Sequence, residues 1–142
     1  AGSRNYTMTM YEDPANPMTS KGTCASAMVL DGRFLKEETT GEMMGMPFVG
    51  SGLVGYNNAT NMYESTWCDN MGTGIIMGTG KETDANTIAL DWNYVDPMTK
   101  KQTKVKTVTK IVDMNKHTFT WFNIEKGKEV KAFETEYVRA GS

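Results

Sequence analysis

The chain is poor in the residues that build catalytic and metal centres. Its 142 residues include one histidine, His117, and two cysteines, Cys24 and Cys68. A zinc site draws three or four ligands from His, Cys and carboxylates at close spacing, and no such spacing surrounds His117. Haem iron can be held by one axial imidazole, but a histidine at the mouth of a strand reads as a surface residue. Neither Ser51 nor Ser65 sits in a Gly-x-Ser-x-Gly elbow. The acids Glu37-Glu38 and Glu134-x-Glu136 read as solvated faces rather than acid/base pairs. No apolar run approaches the ~20 residues of a membrane-spanning helix. The lysines between Lys100 and Lys110 alternate with Val and Thr, as on the wet face of a strand, and no stacking motif accompanies them. Together these absences predict no enzyme, no cofactor, no metal, no membrane span and no nucleic-acid partner.

What is present is ordinary for a globular protein: 39% hydrophobic residues, 23% charged and a net charge of -2, enough to argue against disorder. Period-two alternation is the dominant pattern. Ile88, Leu90, Trp92 and Tyr94 alternate with Thr87, Ala89, Asp91 and Asn93, the signature of a half-buried strand. Val105 to Ile111, His117 to Phe122 and Val130 to Val138 repeat it. Between them fall turn sequences: Asp96-Pro97-Met98-Thr99-Lys100, Asp113-Met114-Asn115-Lys116 and Lys126-Gly127-Lys128. The first half follows the same plan with weaker contrast, with strands near Tyr6–Tyr11, Gly22–Leu30, Phe34 onward, Phe48–Tyr56, Met62–Asp69 and Ile75–Met77. Asp31-Gly32 reads there as a two-residue hairpin turn.

Strands every ~8–12 residues with short turns predict an all-β meander. Closing the sheet removes its two exposed edges. The expected fold is therefore one domain over residues 1–142, an up-and-down antiparallel β-barrel of about ten strands. Gly41, Gly45, Gly50, Gly52 and Gly55 lie in or beside two consecutive strands, where glycine marks bends or close approach of backbone.

Several segments carry a resemblance: Asp31-Gly32-Arg33-Phe34-Leu35, Gly41-Glu42-Met43-Met44-Gly45-Met46-Pro47-Phe48, Gly50-Ser51-Gly52-Leu53-Val54-Gly55-Tyr56-Asn57-Asn58 and Tyr63-Glu64-Ser65-Thr66-Trp67-Cys68-Asp69-Asn70-Met71, with Asp96-Pro97-Met98-Thr99 as a looser match. The chain resembles the Domain of Unknown Function 1579 family, lipocalin-like proteins with a calycin-type barrel. The resemblance implies that fold and no activity. It also implies a short helical lead-in with Gly-x-Trp before the first strand, where this chain reads Gly2-Ser3-Arg4, and an apolar residue such as Val in place of Cys68. One barrel end is expected to need another cover.

Tyr63, Trp67 and Asp69 share one strand face, and Trp92 and Trp121 lie in similar stripes. Aromatic walls with an occasional polar group suit a small apolar ligand. The 12 methionines include Met43-Met44-x-Met46, a soft-metal pattern, but alternation splits it between faces, and filling of an irregular core explains the methionines better. Cys24 and Cys68 are disulfide candidates. Three sheet positions separate them, about 14 Å at ~4.8 Å per strand against a ~7 Å limit, so a bridge within the chain needs a squashed barrel or an approach across the lumen. The alternatives are two buried free thiols or a bridge between copies. Asn5 and Asn58 head glycosylation sequons, and a chain opening Ala1-Gly2-Ser3 is expected of an exported protein whose leader is removed. Two functions are expected: a self-assembling extracellular subunit whose partners are copies of itself, as in a filament, or a lipocalin-like carrier of a small apolar ligand.

Overall fold

A computed structural model of the chain describes residues 2–13 and 15–140. It contains ten strands: β1 (Gly2–Met10), β2 (Met18–Val29), β3 (Phe34–Met43), β4 (Met46–Asn57), β5 (Met62–Asp69), β6 (Ile76–Asp84), β7 (Thr87–Val95), β8 (Gln102–Asp113), β9 (Lys116–Glu125) and β10 (Lys128–Arg139). Each pairs antiparallel with its sequence neighbours. β1 also pairs with β10, from Arg4 opposite Arg139 to Met10 opposite Phe133, so the sheet closes into a barrel. Closure leaves no strand edge open for another chain to extend.

The turns follow from their residues. Aspartates at strand ends accept backbone N–H bonds two residues on: Asp69 from Met71 (2.9 Å), Asp84 from Asn86 (2.8 Å) and Asp113 from Asn115 (2.8 Å). Asp96 does the same for Met98 at 2.7 Å. These side chains mimic a backbone turn and end each strand. Met44-Gly45 and Lys126-Gly127 have positive φ at both positions, 54° and 77° and then 51° and 79°. That pattern marks the two-residue hairpin turn matched to strand twist. Asp31-Gly32 is different. Val29 pairs with Phe34, so the connection is the four residues Leu30–Arg33, closed by the Arg33 N–H donating to the Leu30 carbonyl. Leu30, Asp31 and Gly32 all have positive φ, which a two-residue turn does not accommodate.

The core lies on the inner wall of β6–β9. Leu90, Trp92 and Val105 are buried there, with Tyr63, Trp67, Ile76, Ile88, Tyr94 and Trp121 packed around them. Each such large side chain contributes roughly 1.5–3 kcal/mol on burial. The Trp92 indole N–H donates to Thr107 Oγ1 at 2.9 Å, so its one polar atom is satisfied inside. The outer wall carries Lys36, Glu38, Lys104, Lys106 and Glu136, several in ion pairs such as Lys106–Glu129 at 3.0 Å. The Lys-rich segment is thus the wet face of β8, as its alternation predicts.

Candidate functional site

Three features of the barrel can carry function: an aromatic stretch of lumen wall, a polar patch inside one end, and the two rims. Register decides which side chains enter the lumen. Gly52 pairs with Trp67, Gly50 with Asp69, Gly78 with Trp92 and Thr107 with Trp121. Tyr63, Trp67, Asp69, Trp92 and Trp121 therefore all line the inner wall, and the four aromatics belong to one packed cluster. Asp69 accepts the Trp67 indole N–H at 2.9 Å, and the Tyr63 hydroxyl donates to Glu82 at 2.7 Å. Trp121 stacks between Trp92 (6.4 Å) and Phe133 (5.5 Å).

The inward glycines are more than bends. A Cβ on Gly50 would lie 2.3 Å from the Trp67 ring, one on Gly78 2.4 Å from the Trp92 ring, one on Gly22 2.5 Å from the Tyr6 ring and one on Gly41 2.2 Å from the Tyr6 hydroxyl. Gly22, Gly50 and Gly78 are notches in which an aromatic ring lies against the wall, shielding backbone that has no side chain of its own. Tyr63, Trp67, Phe119, Trp121 and Phe133 face inward and are only half-buried.

The polar patch lies where β1 begins. Arg4, Cys24, Thr39 and Glu37 follow one another across β1, β2 and β3, with Tyr6, Tyr137 and His117 beside them. The Cys24 thiol is 3.8 Å from the Glu37 carboxylate, and Arg4 Nη1 is 3.5 Å from Ser26 Oγ. Burial pushes the Glu37 carboxyl up from its usual range, against the Cys24 hydrogen bond and the Arg4 charge. Burial and the Glu37 charge raise the Cys24 thiol, and burial raises the Tyr6 and Tyr137 hydroxyls. His117 is held down to about 4, by burial first and the Arg4 charge second.

Two expectations are corrected here. Glu37 is not on a solvated face; only Glu38 is, bonded to Ser51 and paired with Lys36. His117 is not a surface residue but lies half-buried, stacked on Tyr137 with ring centroids 4.6 Å apart. Arg4 and Tyr137 belong to no motif, although extending the Tyr6, Met8, Met10 alternation back two residues reaches Arg4. Ser65 is buried and faces the lumen away from His117, and no cluster of three His, Cys, Asp or Glu suited to a metal occurs among the described residues. Cys24 and Cys68 are both free. Cys24 is buried in the lumen, while Cys68 is exposed outside and 3.8 Å from the Ser51 carbonyl. Residues on opposite faces of one wall cannot bridge within a chain, and a buried Cys24 cannot reach a second copy.

The methionines do not fill the core. None is buried, and eight are exposed. Met43 and Met46 are direct partners across a hairpin and share a face, so alternation does not divide them; only Met44, in the turn, is set apart. Among the described residues, all large exposed apolar side chains except Val49, Leu53 and Met77 lie on one rim or the other. The rim around the start of β1 has Met28, Leu30, Phe34, Tyr56, Val112 and Met114. The opposite rim has Met18, Met44, Met46, Met71, Ile75 and Met98. A cavity of about 540 Å³ opens on that second rim, lined in part by Met10, Met18 and Met44. Asn5 and Asn58 are both exposed.

These features define a closed ten-stranded antiparallel barrel with an aromatic-lined lumen. The family described as "Protein of unknown function (DUF1579)" matches residues 1–139, and the chain belongs to it. Among solved structures, a redesigned beta barrel is similar over 99% of this chain and 91% of its own, with a TM-score of 0.53 and 15% identity, a likeness of fold alone. Comparison with curated proteins gave no match. Among the described residues no helix is long and apolar enough to cross a membrane.

Proposed function

We propose that this chain is an exported structural subunit that assembles end to end with copies of itself. The observation that supports the reading is the placement of most exposed apolar side chains on the two rims, while the outer wall between them carries ion pairs and, among the described residues, only Val49, Leu53 and Met77 as large exposed apolar side chains. Apolar surface concentrated in patches marks contact sites, and methionine is suited to such surfaces because its flexible side chain adapts to its partner. The two rims differ in sequence, so one rim meeting the other is a heterologous contact. Such contacts repeat without limit unless they close into a ring. Closure of the barrel rules out strand addition as the joining mode and leaves side-chain packing between ends. Accessible Asn5 and Asn58 sequons fit a place outside the cell.

Electron microscopy and sedimentation of the purified protein test this. Filaments one barrel wide are expected, with an axial repeat of about 30–40 Å set by tilted strands of this length. A monodisperse monomer at tens of micromolar protein, on the order of ordinary subunit concentrations, overturns it.

A second reading is supported by the half-buried aromatics Tyr63, Trp67 and Trp121 around the buried Trp92: a carrier that takes a small apolar ligand into the lumen.

A further inference from the structure

The polar patch inside the barrel has more positive charge and more hydrogen-bonding capacity than its own residues satisfy. Arg4 and Arg139 stand directly opposite each other on β1 and β10. Like charges in that position repel. Arg139 turns to the Met114 carbonyl at 3.4 Å, and the Arg4 side chain enters the lumen. There its Nε is buried with no hydrogen-bond partner, and its one bond, to Ser26, is long at 3.5 Å. Glu37 is the acid that faces it, yet no oxygen of Glu37 lies within 4 Å of the guanidinium in the ion pairs of the described residues. A half-buried guanidinium without a close anion carries a cost, and native proteins rarely leave a buried donor such as its Nε open. Two more orphans lie on the same wall. Ser20 and Thr135 flank Met8 from β2 and β10, and both hydroxyls are buried and unpartnered. Immediately beyond Thr135 begins the aromatic surface of Phe133, Phe119 and Trp121.

From this juxtaposition we infer that the lumen binds a single-chain amphiphile with a carboxylate head, the head on Arg4 and the apolar body along Phe119, Trp121 and Phe133. The inference rests on the carrier reading of the lumen. A carboxylate accepts charge-assisted hydrogen bonds from a guanidinium at Nε and Nη together, in the fork geometry that arginine presents. It supplies the close counter-ion that Glu37, hydrogen-bonded to Cys24 instead, does not. The Tyr6 and Tyr137 rings, 5.9 Å apart, separate head from body. The orphan hydroxyls of Ser20 and Thr135 serve a polar group on the ligand's flank.

The probes are dodecanoate and dodecanol, which share a chain and differ in charge, titrated below their aggregation limits against tryptophan fluorescence. Dodecanoate is expected to bind one per chain and about tenfold or more tighter than dodecanol. Arg4→Gln is expected to remove that preference, weakening dodecanoate about tenfold and leaving dodecanol unchanged. Arg4→Lys keeps the charge and is expected to restore most of the binding, which separates loss of the site from loss of the fold. Glu37→Gln removes the competing carboxylate and is expected to tighten dodecanoate roughly threefold. Equal binding of both probes, or Arg4→Gln without effect on dodecanoate, overturns the inference and leaves the carrier reading standing. Binding of neither overturns both.

Discussion

Trp92 lies flat over Gly78 on the neighbouring strand, so close that a Cβ at that glycine would sit 2.4 Å from the indole. Both residues are buried, and the ring is fixed from its other side by the bond to Thr107. A methyl group therefore cannot be added unless the ring leaves its place. Gly78→Ala is expected to destabilise the barrel by about 1–3 kcal/mol, the usual range for overpacking. Gly74→Ala, in a loop where nothing lies within 4 Å of the added carbon, is the control and is expected to change stability by less than about 0.5 kcal/mol. Urea unfolding followed by tryptophan fluorescence reads both.

The bond between Trp92 and Thr107 gives a second expectation. Thr107 is 1% exposed, so water cannot replace its hydroxyl. Thr107→Val keeps the shape and leaves the indole N–H unpaired, at a cost of about 1–3 kcal/mol. Adding Trp92→Phe to Thr107→Val removes the orphan donor. The double variant should therefore lose less than the sum of the two single losses. Strict additivity in the same unfolding assay would count against this bond as a stabilising contact.

The fold was legible because period two and turn chemistry agree along most of the chain. Ile88, Leu90, Trp92 and Tyr94 name their face unaided, and Asp69, Asp84, Asp96 and Asp113 mark where strands stop. The lumen aromatics were legible for the same reason. Glu37 was not, because Lys36, Glu37 and Glu38 are charged on both faces and offer no contrast. Only the register, with Cys24 opposite Thr39 and Ser26 opposite Glu37, sends it inward. Composition counts methionines without locating them. Their sequence neighbours do locate them: Met18 follows Pro17, Met44 precedes Gly45, Met98 follows Pro97 and Met114 precedes Asn115. Methionine beside a turn signal sits on a rim, and the count alone suggested a core.

His117 should make the barrel sensitive to mild acid. Its folded value of about 4 lies below the ordinary 6.5, chiefly through burial. The unfolded chain therefore binds a proton that the folded chain refuses, and stability falls as pH drops from about 6.5 towards about 4. Glu37 acts in the opposite sense, because its raised carboxyl takes up a proton more readily when folded. It opposes the loss as pH falls through its own folded value. His117→Gln is expected to flatten the decline in urea midpoint between pH 7 and pH 5. The imidazole is the only one in the chain, so its single NMR titration in the native protein is expected near 4. An ordinary value near 6.5 would refute the burial argument.

The rims give the sharpest test of assembly. Met114 and Leu30 on one rim are 87% and 66% exposed, and Met98 and Met44 on the other are 90% and 64% exposed. Aspartate at these places should leave the fold intact, since exposed sites tolerate polar side chains within about 0.5 kcal/mol. Leu30 and Met44 also have positive φ, which aspartate tolerates better than leucine or methionine. A Leu30→Asp, Met114→Asp subunit keeps one apolar rim, and a Met44→Asp, Met98→Asp subunit keeps the other. With rim-to-opposite-rim contacts, neither variant alone can form even one junction, because its intact rim has only blocked rims to meet. An equimolar mixture can form one junction per pair and no more, so it is expected to sediment as dimers where the parent protein gives filaments. If like rims joined instead, each variant would dimerise alone and mixing would change nothing. If the charged outer wall made the contact, all three samples would polymerise alike. Sedimentation velocity on the two variants and their mixture distinguishes the three cases.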